Sequence, residues 1–153
     1  MAKGPTLSFG LQVPPQARMV SIVRRFVEES FEKVLSDVDT VHRVSLAVHE
    51  LLENAAKYSV GRHTELRVRL QPSGPASIEM TNETTPEHVA RLCACVGEIQ
   101  AATDPFAHYQ ALMRRMVGVD EESGLGLARL RAEGDLVLSL EVNGTMVTIV
   151  ASG

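Results

Sequence analysis

The chain has 153 residues, enough for one domain over 1–153 with a real buried core. Its hydrophobic content of 44% and charge content of 22% are those of an ordinary globular protein. A formal net charge of −4 opposes general nucleic-acid binding, which needs a basic surface to displace counterions.

No apolar run approaches the roughly 18 residues of a membrane span. The opening MAKGPTLSFG lacks the apolar core of a secretory signal, so a cytoplasmic protein with no membrane attachment is expected.

Thr6 to Val13 alternates, with Leu7, Phe9, Leu11 and Val13 on one side, and predicts a first strand closed by Pro14-Pro15. From Gln16 to Leu35, Met19, Ile22, Val23, Phe26, Val27 and Val34 keep helical spacing. DVDT (37–40) interrupts, and Asp39 or Thr40 can cap a second helix from about Val41 to Ser59, ended by Gly61. The period then becomes two. Leu66, Val68 and Leu70 face one way, Glu65, Arg67 and Arg69 the other. PSGP (72–75) signals a turn, after which Ala76, Ile78 and Met80 form a returning strand.

Thr85 and Pro86 suit the cap and first residue of a helix reaching about Ala102. Asp104-Pro105 repeats that start for a helix over Phe106 to Val117. GVDEESGLGLARLRAEGD reads as a glycine-containing loop leading into a short helix. Last, Leu136, Leu138, Leu140 and Val142 alternate, Asn143-Gly144 makes a tight turn, and Thr145 to Val150 returns. The order β-α-α-β-β-α-α-α-β-β predicts an α+β two-layer sandwich: a mixed, mostly antiparallel sheet with helices on one face.

Metal chemistry finds little support. Cys93 and Cys95 stand two apart in a predicted helix, diverge by about 200° and should not share a ligand; buried free thiols are expected. His49-Glu50 begins the zinc-protease pattern H-E-x-x-H, but the fifth position is Glu53, and His42, His63, His88 and His108 show no ligand spacing.

Two stretches carry chemistry. In HELLENAAKYS (49–59) and its lead-in VHRVSLAV (41–48), Val44, Val48, Leu51, Leu52 and Ala55 fall on one side of the helix, at about 100° per residue. Glu50, Glu53, Asn54 and Lys57 fall on the other, with Leu46 intruding. This is either a solvated face with a Glu53–Lys57 pair at i,i+4, or an acid, an amide and a base aimed at a ligand. Asn54 is a poor mid-helix residue and argues for the second.

The other stretch is SGLGLARLR (123–131). Gly124 and Gly126 open a helix whose first amides lack intrahelical acceptors, and such amides make an anion site that glycine leaves open to close approach. Together the two stretches suit a magnesium nucleotide. Asn54 offers an oxygen for the metal, Glu50 a base for an attacking hydroxyl or water, and Lys57 a point charge for phosphate.

HELLENAAKYS resembles the N box of the GHKL (Bergerat-fold) ATPases, and SGLGLARLR resembles their second glycine box. The predicted element order fits that histidine-kinase-like fold over almost the whole chain. The short single-domain form most resembles the bacterial anti-sigma-factor and serine/threonine kinase branch used in partner switching. The resemblance implies Glu50 as general base, Asn54 as magnesium ligand and Lys57 on phosphate. It also implies ATP and Mg²⁺ as cofactors, with Ser123, Gly124, Leu125, Gly126 and Leu127 around the triphosphate. The implied activity is ATP-dependent serine/threonine phosphorylation, or sequestration, of a cytoplasmic protein partner resembling a sigma factor or an anti-sigma antagonist. A homodimer is compatible with such a domain.

The family's D-x-G-x-G box should follow Met80, where the sequence is MTNETTPEHV. With Asn82 at the aspartate position, Thr84 and Pro86 replace the glycines. A carbonyl oxygen on Asn82 still accepts a hydrogen bond from adenine, without charge. A β-branched residue and a fixed φ do not copy a glycine turn. Two outcomes compete: nucleotide held by its phosphates with altered base recognition, or a non-catalytic interaction domain with a vestigial site.

Overall fold

The computed structural model describes residues 6–71, 75–117 and 124–153. Ten elements follow in the predicted order: β1 (Leu7–Val13), α1 (Ala17–Glu32), α2 (Val38–Tyr58), β2 (Thr64–Leu70) and β3 (Ala76–Glu83). Then come α3 (Pro86–Ala101), α4 (Pro105–Arg115), α5 (Leu125–Ala132), β4 (Val137–Asn143) and β5 (Met146–Ser152). The Asn143-Gly144 turn is formed, with Gly144 at φ 64°, where a side chain would be strained.

The five strands form one sheet in the order β1-β2-β3-β5-β4. All four ladders are antiparallel, so the expected mixed character gives way to a purely antiparallel sheet. The last hairpin explains this. It places β5, not β4, against β3, with Ile78 opposite Ala151 and Met80 opposite Ile149.

Side chains alternate across a strand, so register decides which face is apolar. Leu66 pairs with Met80 and Val68 with Ile78, all buried and turned toward the helices. Glu65, Arg67, Arg69, Ser77 and Glu79 line the opposite face, which carries a broad polar hollow.

α2 is the spine of the helix layer, 21 residues long. Its stripe of Val44, Val48, Leu51 and Ala55 is almost wholly buried, each large side chain contributing about 2 kcal/mol. α1 packs along α2 through Val20, Val23, Val27 and Phe31. Between these helices Ser45 Oγ donates to Glu28 at 2.7 Å. The α2 cap is Asp37, which accepts from Asp39 N–H at 3.1 Å and Thr40 Oγ1 at 2.6 Å. The expected caps Asp39 and Thr40 are thus the donors, and the helix starts earlier. It ends at Tyr58, with Ser59 as C-cap, before Gly61 is reached.

The far end of α5 is tied back to α2 by Arg43, whose Nε donates to Gly134 O at 2.7 Å and Nη2 to Asp135 O at 3.2 Å. α3 packs on β4 and α5, and α4 packs on α5. The expectation for the cysteines fails in part. The buried stripe of α3 is His88, Leu92, Val96 and Ile99, which leaves Cys93 exposed and Cys95 half-buried. Among the described residues, no helix is long and apolar enough to cross a membrane.

Candidate functional site

The second half of α2 faces the first turn of α5. Glu50, Asn54, Lys57, Gly124, Leu125, Gly126 and Leu127 line one small cleft, together with Glu53 and Tyr58. Seven residues expected at a site thus meet, although they come from distant parts of the chain. Ser123 lies outside the described residues.

Local chemistry explains this meeting. Gly124 caps α5 in the left-handed region at φ 81°, where a side chain costs about 1–2 kcal/mol. A Cβ there would also run into Cys95 Sγ. The first bond of the α5 ladder runs from Ala128 N–H to Gly124 O at 3.0 Å. The N–H groups of Leu125, Gly126 and Leu127 therefore stand outside that ladder, at the positive end of the helix. A Cβ on Gly126 would run into the Glu50 carboxylate, so the missing side chain is what lets that carboxylate reach the helix.

Glu50 is not on a solvated face. Its side chain is only 10% exposed, and Oε1 meets Arg129 Nη1 at 3.3 Å. Burial raises the Glu50 carboxyl above its ordinary value, and the opposing charges of His49 and Arg129 do not cancel that effect. Arg129 also bonds Glu133 at 2.7 Å. Glu53 turns to His49 at 3.6 Å, Asn54 is half-buried, and Lys57 is exposed at the rim. Leu46, which by helical spacing falls within the polar stripe, is buried.

The other side of the cleft is filled by aromatic rings. Tyr58, at the end of α2, stacks on His88 from the first turn of α3, with centroids 3.8 Å apart and planes at 16°. His88 is buried, and among the described residues neither Nδ1 nor Nε2 has a hydrogen-bond partner. Burial, and then Arg91, push its pKa down. The space left there is about 30 Å³, bounded by Asn54, Tyr58, His88, Cys95 and Gly124 among others. The Glu50–Gly126 side holds about 30 Å³ as well. Each is room for a water.

The MTNETT segment builds this wall. β3 continues without a bend to Glu83, and α3 begins at Pro86. Thr84 is buried, and its Oγ1 donates to Tyr58 O at 2.7 Å, tying the end of the strand to the end of α2. Thr85 then accepts from His88 N–H at 3.2 Å, the expected cap. Asn82 is buried on the helix-covered face of β3, where Nδ2 makes a long 3.5 Å bond to Glu83 O. It lines neither cavity, so the site does not gather this residue.

A fit to a magnesium nucleotide is therefore divided. The carboxylate, amide, lysine and first-turn α5 amides suit a metal-bound phosphate chain. On the other side the Tyr58–His88 ring stack and Leu92 occupy the room that a base would need. Sequence reasoning missed Arg129, Tyr58, His88 and Cys95. Tyr58 and Arg129 carried a signal, standing four residues beyond Asn54 and Leu125 and so on the same helix faces.

No family model matches the sequence, and no curated protein does. The fold itself has a solved counterpart. It is that of a chain in the crystal structure of the SiaB–SiaC complex from Pseudomonas aeruginosa, with a TM-score of 0.66. Identity is 14%, and the match covers 96% of this chain and 88% of that one. At this identity the likeness concerns the fold alone.

Proposed function

We propose that this domain is a GHKL-type regulatory protein that binds a magnesium nucleotide by its phosphate chain at the α2–α5 cleft and phosphorylates or sequesters a protein partner in the cytoplasm. The observation that carries this reading is the convergence of Glu50, Asn54 and Lys57 on the first turn of α5, where the amides of Leu125, Gly126 and Leu127 precede the helical ladder. A bound ATP supplies a transferable phosphoryl group, and its Mg²⁺ screens charge. Asn54 would hold the metal through Oδ1, with Lys57 and the α5 amides on phosphate oxygens. Glu50 would take the proton of an incoming partner hydroxyl. Burial raises its affinity for that proton, which favours the role.

The fold shared with a chain of the SiaB–SiaC complex supports a protein partner, because that protein is seen in a complex. The partner-switching role is part of the proposal, and the pairing of the α2 face with the glycine start of α5 supports it. Calorimetry with Mg-ATP tests the reading. Asn54→Ala should weaken binding tenfold or more, on the order of 1.4 kcal/mol. Glu50→Gln should keep binding and lose phosphotransfer to a partner. Equal binding by wild type and Asn54→Ala would remove the metal role.

A second reading rests on the Tyr58–His88 stack, which fills the base side with protein. In that reading the domain only binds its partner, and Mg-ATP produces no heat with either protein.

A further inference from the structure

We propose that His88 is an internal plug: stacked on Tyr58, it closes the base side of the α2–α5 cleft, so that the cleft admits phosphate chains and excludes nucleoside bases until the first turn of α3 moves. This rests on the nucleotide reading above and adds a gate to it.

Three observations converge on the plug. The imidazole lies flat on the phenol, 3.8 Å away and 16° from parallel, using the ring face on which a base would stack. Neither imidazole nitrogen has a protein hydrogen-bond partner among the described residues, although the residue is only 9% exposed. The protein therefore holds this imidazole by its ring face and not by a hydrogen bond. The third is position. His88 belongs to the first turn of a helix that begins three residues after β3 ends, and Thr85 is the cap that holds that turn. A first turn lacks the full hydrogen-bond ladder and is the part of a helix that opens most readily. Moving it would join the void beside Asn54, Cys95 and Gly124 to the space of the imidazole.

The test compares Mg-ATP with Mg-tripolyphosphate, which has the phosphate chain and no base. Calorimetry on the full chain should give wild type similar affinities for the two, within about threefold. His88→Ala should bind Mg-ATP about tenfold more tightly or better and leave tripolyphosphate unchanged, while His88→Phe, which keeps a ring, should behave as wild type. Circular dichroism melts report whether His88→Ala is folded. Should it not fold, the wild-type ratio still decides, because a preference for ATP of about tenfold or more overturns the plug. Tripolyphosphate binding with no gain for ATP in folded His88→Ala overturns the plug alone. Failure of both ligands with both proteins removes the nucleotide reading and the plug with it.

Discussion

The two sides of the cleft are built by opposite means. On one side, Gly124 and Gly126 withhold side chains, so that Cys95 and Glu50 come against the backbone of α5. On the other, Thr84, Tyr58 and His88 supply side chains that fill the space and lock it. The first side sets the α5 amides, which attract an anion, beside the Glu50 carboxylate and Lys57. The second is a small core. One cleft thus has a chemical wall and a packed wall, and only the packed wall departs from what a nucleotide needs.

Substitutions can break either wall. The largest effect is expected at Gly124→Ala, which adds both left-handed strain and a collision with Cys95. The cost is about 2–4 kcal/mol, a fall in melting temperature of roughly 5–15 °C. Adding Cys95→Ala should recover the collision part and leave the strain. A double variant no more stable than Gly124→Ala would show that Cys95 is not what crowds the cap.

On the packed wall, Thr84→Val keeps the β-branched shape and removes the donor to Tyr58 O. A loss of about 1–2 kcal/mol in urea unfolding is expected. No loss would mean that the tie between β3 and α2 does not hold the stack in place.

The smallest effect concerns Glu50 and sharpens the charge side. Its folded pKa is raised by burial, so the stability its protonated form confers is fully present below the unfolded carboxylate value. That stability is lost as pH rises through the raised value. Glu50→Gln removes the ionisation and should raise the melting temperature at pH 7 by up to roughly 2–4 °C, with no gain in acid. A loss at pH 7 would mean that the Arg129 contact outweighs desolvation.

Much of the fold was legible because hydrophobic period changes where the elements change. Leu66, Val68 and Leu70 could only be a strand face, and Val44, Val48 and Leu51 only a helix stripe. The Thr85-Pro86 and Asp104-Pro105 starts fixed two helices, because cap and proline act within one turn. Sheet order is different. It depends on which strand of the last hairpin meets β3, and no local pattern encodes that.

The same distinction holds for the site. Glu50, Asn54 and Lys57 share a face by spacing alone, and glycines mark the start of α5. The Tyr58–His88 stack joins two elements that only tertiary packing brings together. Asn82 stands where the resemblance implies a base contact, but β3 carries on through it, and the strand leaves its side chain outside both cavities. Cys93 was expected inside, but it lies about 100° from Leu92 around α3 and so outside the buried stripe.

The two-sided character of the sheet also constrains how the chain can change length. β2 and β3 put Leu66, Val68, Ile78 and Met80 under the helices and Arg67, Arg69, Ser77 and Glu79 outside. One inserted or deleted residue inside either strand would exchange the two sets, sending arginine and glutamate beneath α2. A change of chain length is therefore tolerated in the connections and not in these strands, while a point change on the outer face of the sheet lies away from the cleft.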